Sequence, residues 1–136
     1  MAVSQRKLRE LVFQMVFSFD MNQHVDLALT TFLFDQLTVT KKTVRQAYER
    51  MQGVLEKLKE IDKHISRDST QYDFGRISRV EKSILRLGVY ELLYDEQIPP
   101  KVAIAEAVRL SRKFGTEGGG GFVNALLDSI HHKKNL

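Results

Sequence analysis

One face of the first predicted helix combines cationic and aromatic side chains. Arg6, Arg9, Phe13 and Phe17 follow one another at spacings of three, four and four residues, so they share one face of an α-helix, and Lys7 adds a third cation beside them. Cationic groups neutralise phosphates, and aromatic rings stack on unpaired bases at about 1–3 kcal/mol each. The pattern indicates an interface for single-stranded nucleic acid. The alternative is that the two rings pack in a helical core and the charges are only solvated.

A second candidate is the glycine run from Gly118 to Gly121, which precedes the last predicted helix. Glycine allows close approach of a backbone, and free amide groups at a helix start attract phosphate. Each glycine costs about 1 kcal/mol inside a helix, so we expect a loop or a frayed helix start. No Lys-Ser or Lys-Thr pair follows, as a nucleotide-binding P-loop requires. A simple connector between helices is the alternative.

Two acids, Glu81 and Glu91, project into the apolar side of a predicted helix. Carboxylates in such a position are costly unless they are paired, so each either pairs internally or contacts a cation of another protein. Spacing alone favours an internal pair. Ten residues along one helix separate the two acids by roughly 15 Å, which is too far for a general acid–base pair.

No residue pattern in the sequence predicts catalysis, a metal site or a cofactor. Cysteine is absent, which excludes thiolate chemistry and cysteine-based metal sites. The four histidines do not form metal-ligand patterns: none belongs to an i, i+4 ligand pair, and none lies beside a set of acidic ligands. They are His24, His64, His131 and His132. The serines follow no nucleophile-elbow pattern. We therefore expect a protein that is not an enzyme.

Composition predicts one soluble globular domain. The chain has 136 residues, of which 43% are hydrophobic, and a net charge of +4. That modest positive charge permits a polyanionic partner without requiring one. No apolar run of eighteen residues is present, so we expect no membrane span. Charged residues near position 6 interrupt the apolar core that a signal peptide needs, which predicts a cytoplasmic protein.

Apolar residues recur three and four apart along most of the chain, which predicts an all-α fold. The predicted helices start near Ser4, Asp26, Thr40, Ser78 and Pro100 and after Gly121. The third is expected to run unbroken to Ile65, and Gly115 to end the fifth in a left-handed conformation. A polar linker at 66–75 divides a single domain, 1–136, into two packed three-helix sub-bundles at about 4–65 and 77–133.

Four separately spaced blocks of the C-terminal half resemble one known family. They are Arg79-Val80-Glu81-Lys82-Ser83-Ile84-Leu85-Arg86-Leu87-Gly88-Val89-Tyr90-Glu91-Leu92-Leu93, then Pro100-Lys101-Val102-Ala103-Ile104-Ala105-Glu106-Ala107, then Lys113-Phe114-Gly115, and Phe122-Val123-Asn124-Ala125-Leu126-Leu127-Asp128. Near the N-terminus, Arg9-Glu10, Gln14 and Phe17-Ser18 look like the same family's first helix. The order and spacing of these blocks resemble the NusB family of transcription antitermination factors.

The resemblance implies an all-helical protein that binds RNA without catalysis. Members bind the single-stranded boxA segment of ribosomal RNA leader transcripts together with the small-subunit ribosomal protein NusE. The complex then joins other Nus factors on RNA polymerase and suppresses termination. Carried over to this sequence, the RNA-binding residues are Arg6, Lys7, Arg9, Phe17, Gly118, Gly121 and Phe122. The resemblance also implies that Phe17 and Glu81 lie in the region that meets the protein partner.

Two other functions fit the same pattern. A NusB-like domain also positions RNA at the N-terminus of ribosomal RNA cytosine methyltransferases. Such an enzyme needs a long C-terminal domain with a methyl-donor site, which these 136 residues do not include. The other alternative is a structural module that forms a homodimer through its helical faces, since the family includes dimers.

Overall fold

The computed structural model describes residues 4–22 and 40–134. Six α-helices and one short 3₁₀ turn are present in these residues, without any strand, which confirms the all-α prediction. The helices are α1 (Gln5–Asn22), α2 (Lys41–Glu56), α3 (Leu58–Asp68), α4 (Arg79–Tyr94), α5 (Pro100–Phe114) and α6 (Gly119–Lys134), and the 3₁₀ turn is Phe74–Arg76. The helix predicted to start near Asp26, with Ala28, Leu29, Phe32 and Leu37, lies outside the described residues.

The chain divides into two compact units, Met1–Leu55 and Glu56–Leu136. In the N-terminal unit, side-chain caps begin both described helices, as predicted. Ser4 Oγ accepts a hydrogen bond from the Lys7 amide at 3.1 Å, and Thr40 Oγ1 accepts one from the Thr43 amide at 3.1 Å. The apolar faces are buried, with Leu11 and Val12 on α1 and Ala47, Met51 and Val54 on α2.

A break at Lys57 separates α2 from α3, so the prediction of one unbroken helix from Thr40 to Ile65 is wrong. Lys57 has φ −103° and ψ 8°, outside the α-helical region. The predicted seam residues of α3, Ile61 and Ile65, are nevertheless fully buried. Helix α3 packs against α4 and α6 within the C-terminal unit. The division into sub-bundles at about 4–65 and 77–133 stays a prediction.

Helix α4 forms the centre of the C-terminal unit and contacts α3, α5 and α6. A glycine at position 88 allows this close packing. A Cβ atom there would lie 3.0 Å from Leu127 Cδ1 and 3.4 Å from Ala107 Cβ. Because the helix is covered on several sides, Arg86 is buried and its guanidinium makes two 2.9 Å hydrogen bonds to Asp62 on α3.

Glycine has a different role at the end of α5 from the predicted one. Pro100 occupies the first turn of α5 and Gly115 follows its last residue, as expected. Gly115, however, has φ −95° and ψ −164°, so it is extended and the left-handed prediction is wrong. The left-handed residue is Gly118, with φ +83°. No helix in the described part of the chain has the length and apolar character needed to cross a membrane.

Candidate nucleic-acid interface

The basic start of α1 presents two of its three predicted cations. Arg6 is exposed and Lys7 is partly exposed, whereas the Arg9 side chain is buried and only 6% of the residue is accessible. Arg9 was predicted on the same open face as Arg6. Its burial means that α1 is covered on more than one side at this turn. The accessible positive charge of α1 is therefore concentrated at Arg6 and Lys7.

The two rings on this face differ in accessibility. Phe13 and Phe17 lie 6.3 Å apart between ring centroids, with their planes tilted by 35°. Phe13 is 4% exposed, so it belongs to the core. For this ring, the alternative of packing in a helical core applies and stacking on a base does not. Phe17 is only partly buried. Of these two rings, Phe17 is the one that an unpaired base can reach without rearrangement.

The glycine run is mostly helical. Residues Gly119, Gly120 and Gly121 form the first turn of α6, and only Gly118 lies in the preceding turn. Of the two expected alternatives, a loop or a helix start, the structure therefore shows a helix start. A Cβ atom at Gly118 or Gly121 would meet nothing within 4 Å, so the backbone at both positions is open to a ligand. Phe122 follows at once and is partly exposed.

Glu81 is an internal residue of the C-terminal unit. It occupies the third position of α4, where its backbone amide donates to Ser78 Oγ at 3.1 Å and its carboxylate accepts a hydrogen bond from the Ser78 hydroxyl. The Ser78 side chain therefore caps the first turn of α4 and also donates to the Glu81 carboxylate. The other carboxylate oxygen accepts from the Thr116 amide at 3.2 Å and from the Thr116 hydroxyl at 2.8 Å. Only 4% of Glu81 is exposed.

The partners of Glu81 are hydroxyl and amide groups in place of the expected cation. Burial raises the pKa of Glu81, but the hydrogen bonds from Ser78, Thr116 and the backbone outweigh it and lower the pKa below its ordinary value. Glu91, the second acid of α4, is 1% exposed. The partner role that the resemblance implies for Glu81 stays a prediction.

Two glycines make room for the Glu81 carboxylate at the start of α6. A Cβ atom at Gly119 would clash with Glu81 Oε1 and would lie 2.9 Å from Ser111 Oγ. A Cβ atom at Gly115 would lie 2.7 Å from the Ser111 carbonyl oxygen and 3.1 Å from Glu81 Oε1. The carboxylate thus lies against the first turn of α6, where the helix dipole favours negative charge.

Beside this network lies a pocket of about 320 Å³, bounded by residues 71–78, the turn at 116–118 and the start of α6. Tyr72 and Phe122 form one wall, with ring centroids 5.1 Å apart and planes at 83°. Arg76 and Glu117 also line the pocket. The structure therefore brings Phe122, Gly118 and Glu81 together within the C-terminal unit, whereas Arg6, Lys7, Arg9 and Phe17 belong to α1.

Sequence reasoning missed Tyr72 and Arg76. Tyr72 lies in the segment 66–75, which the sequence indicates as a polar linker, and Arg76 follows that segment directly. No helical spacing relates either residue to Phe122, which is fifty residues from Tyr72. The available signal was an aromatic residue within an otherwise polar, broken stretch, with a cation directly after that stretch. Such a residue needs a structural reason, because a linker by itself requires no large ring.

The described histidines form no metal site. Residues 4–22 and 40–134 hold no group of three or more His, Asp or Glu side chains arranged to bind a metal ion. His64 Nδ1 lies 2.9 Å from Arg67 Nη2, and burial together with the Arg67 charge lowers the pKa of His64. His132 lies 3.5 Å from Asp128. These contacts occupy the two histidines within their own helices.

Comparison with known proteins decides the family. The family model described as "NusB family" matches residues 6–132. The chain belongs to the NusB family. It is 39% identical to the transcription antitermination protein NusB of Syntrophomonas wolfei, over 98% of this chain and 99% of that protein. It is 38% identical to the protein of the same name from Treponema pallidum, over 94% of this chain and 92% of that protein.

Solved NusB structures share the fold. The structure of T. maritima NusB superposes with a TM-score of 0.85 at 34% identity, covering 98% of this chain and 94% of that one. A structure of the antitermination factors NusB and NusE in complex with double-stranded RNA gives a TM-score of 0.81 at 24% identity, over 95% of this chain and 96% of that chain. The second likeness shows the fold alone. The resemblance to the NusB family and the predicted fold class are confirmed.

Proposed function

We propose that this chain binds single-stranded boxA-type RNA of ribosomal RNA leader transcripts together with the ribosomal protein NusE, and that it acts without catalysis as a transcription antitermination factor. The observation that carries this proposal is membership of the NusB family across residues 6–132, with relatives that are named transcription antitermination proteins. These names also favour a transcription factor over the methyltransferase-associated module.

The residues that we propose to contact RNA are described for each unit by itself. In the N-terminal unit, Arg6 and Lys7 would neutralise phosphates and Phe17 would stack on a base. In the C-terminal unit, the open backbone at Gly118 and Gly121 and the Phe122 ring would meet the strand. Arg9 is buried, so its proposed role is to support this end of α1 rather than to contact a phosphate directly.

The residues that we propose for NusE binding are Phe17 in the N-terminal unit and the region of Glu81 in the C-terminal unit. Both oxygens of the Glu81 carboxylate accept internal hydrogen bonds. The role that we propose for Glu81 is therefore to hold the 116–119 turn in place for the partner. The assembled complex would then act on RNA polymerase with other Nus factors in the cytoplasm.

Fluorescence anisotropy with labelled boxA-type RNA and a scrambled control, with and without NusE, tests the proposal. We expect boxA-type RNA with NusE to bind more tightly than the scrambled strand at moderate salt. The logarithm of the affinity should fall with the logarithm of salt concentration at a slope of about −0.7 for each phosphate neutralised. Equal binding of the two RNAs would overturn the proposal.

A double variant identifies the cations involved. Replacing Arg6 and Lys7 with Ala should weaken RNA binding and reduce the salt slope by about 1.4, with little change in melting temperature. The matched control replaces Lys41 and Lys42, an exposed pair at the start of α2, and removes the same charge from the same unit. Equal losses in both variants would indicate a general charge effect. Sedimentation with and without RNA tests the homodimer alternative.

A further inference from the structure

We propose that the pocket beside Phe122 binds one unpaired nucleotide, with its base against the Tyr72 and Phe122 rings and its phosphate at Arg76. The inference rests on the proposed function for the source of that nucleotide, an RNA strand. It adds a third segment of the chain, residues 71–78, to the two segments that we propose to contact RNA. At about 320 Å³ the pocket is at the small end of ligand sites, which suits a single nucleotide better than a duplex.

The aromatic wall has the geometry of a corner. Because the Tyr72 and Phe122 planes meet at 83°, a flat base that stacks on one ring lies nearly perpendicular to the other ring. Tyr72 is 44% exposed, an unusual position for a large ring. Its backbone is held because its carbonyl oxygen accepts a hydrogen bond from the Ser69 hydroxyl. The ring is thus accessible and its backbone is anchored, which favours stacking on a ligand.

The charges around the pocket determine where a phosphate lies. Arg76 is exposed, and its position is set by the 3₁₀ turn, in which its amide donates to the Asp73 carbonyl oxygen at 2.8 Å. Two carboxylates also line the pocket. The Glu81 carboxylate accepts hydrogen bonds from Ser78 and Thr116. The second carboxylate belongs to Glu117, which is exposed in the 116–118 turn. A phosphate is therefore favoured at Arg76 and disfavoured near Glu117.

Stacking is tested with a boxA-type RNA that contains a single 2-aminopurine, whose fluorescence falls when the base stacks. We scan its position along the strand and expect, besides the position stacked on Phe17, one position at which the pocket quenches the signal. Replacing Tyr72 with Leu should abolish that quenching and weaken binding about five-fold or more, since one stacked base is lost. Tyr72→Phe should retain both. The control is Tyr94→Leu on α4, which removes a ring outside the pocket.

The phosphate contact has its own test. Arg76→Ala should reduce the salt slope by about 0.7, the value for one phosphate of a single strand. Lys63→Ala, an exposed cation of α3 in the same unit, should leave the slope unchanged. Circular dichroism melting of each variant verifies that folding is retained.

The outcomes separate this inference from the proposed function. If RNA binds but no position is quenched, or if Tyr72→Leu and Arg76→Ala bind like the original chain, the pocket proposal is wrong and the proposed function stands. If the protein binds no RNA, the proposed function fails. The pocket proposal is then decided with adenosine monophosphate. The protein is titrated with adenosine monophosphate, and the NMR resonances of the Tyr72 ring are followed. A free nucleotide is supported as the ligand if these resonances shift to saturation and do not shift in Arg76→Ala. Unchanged resonances would overturn it.

Discussion

The contact between Glu81 and the start of α6 predicts that one substitution has opposite effects at two positions of the same helical turn. Gly119 and Gly121 both lie in the first turn of α6. A Cβ atom at Gly121 would enter open space, whereas one at Gly119 would clash with Glu81 Oε1. Alanine has a higher helix propensity than glycine at either position. Only the surroundings of the two positions differ.

The magnitudes follow from the groups that must move. At Gly121, alanine should raise the free energy of unfolding by about 0.5–1 kcal/mol through helix propensity. At Gly119, the new methyl group must displace Glu81 Oε1, which accepts two hydrogen bonds from Thr116. Hydrogen bonds to a charged group contribute about 1.5–3 kcal/mol each, so their loss outweighs the propensity gain. The expected net destabilisation is about 2–5 kcal/mol.

Urea denaturation followed by the helical circular dichroism signal measures both free energies. A double variant then tests the cause. In a chain that already contains Glu81→Ala, the obstructing carboxylate is gone, so Gly119→Ala should cost far less than it does alone. A Gly119→Ala variant as stable as Gly121→Ala would refute the reasoning. An equal penalty with and without Glu81 would show that the clash lies elsewhere.

Three further predictions concern the same region. Gly118→Ala should lower the free energy of unfolding by about 1–2 kcal/mol in urea denaturation, although no atom is near, because its φ of +83° disfavours a side chain; unchanged stability would contradict this. Folding lowers the pKa of Glu81, so the ionised carboxylate stabilises the fold above its ordinary pKa, and this stabilisation is lost as pH falls through the folded pKa. Glu81→Gln should therefore be less stable than the original chain at pH 7 and should lose less stability on acidification. Urea titrations at several pH values measure both effects. Glu117→Gln should strengthen RNA binding in anisotropy, with the larger gain at low salt, because it removes a negative charge from the pocket; weaker binding would place the phosphate elsewhere.

Features that depend on neighbouring residues in the sequence could be predicted. Ser4 and Thr40 are recognisable caps because a short hydroxyl side chain precedes an amphipathic run, and Pro100 marks a helix start because its φ suits the first turn. The break at Lys57 could not be predicted. The apolar seam continues across it, and no proline or glycine occupies that position.

Features set by tertiary neighbours were hidden from the sequence. The spacing of Arg9 and Phe13 puts both residues opposite the apolar stripe of α1, but it does not tell whether that second face is open or covered. The structure buries both residues, because α1 is covered on more than one side. Gly115 was predicted correctly as a helix end for a reason that is wrong. Gly115 is required because a side chain there would collide with the Glu81 carboxylate and the Ser111 carbonyl oxygen, and its backbone is not left-handed.

The Glu81 network links the start of α4 to the pocket, so a variant at Glu81 has effects beyond stability. Ser78, Glu81, Thr116 and Gly118 all line the pocket, and the carboxylate holds the turn that carries Gly118 beside Phe122. If the carboxylate is lost, the turn loses two of its hydrogen bonds and the walls of the pocket can separate. A loss of RNA or NusE binding in a Glu81 variant is therefore not evidence of direct contact. Thr116→Val provides the distinction, because it weakens the same turn and leaves the Glu81 carboxylate present. If Thr116→Val reproduces the binding defect, Glu81 acts by positioning the turn, and if binding stays intact, Glu81 itself contacts the partner.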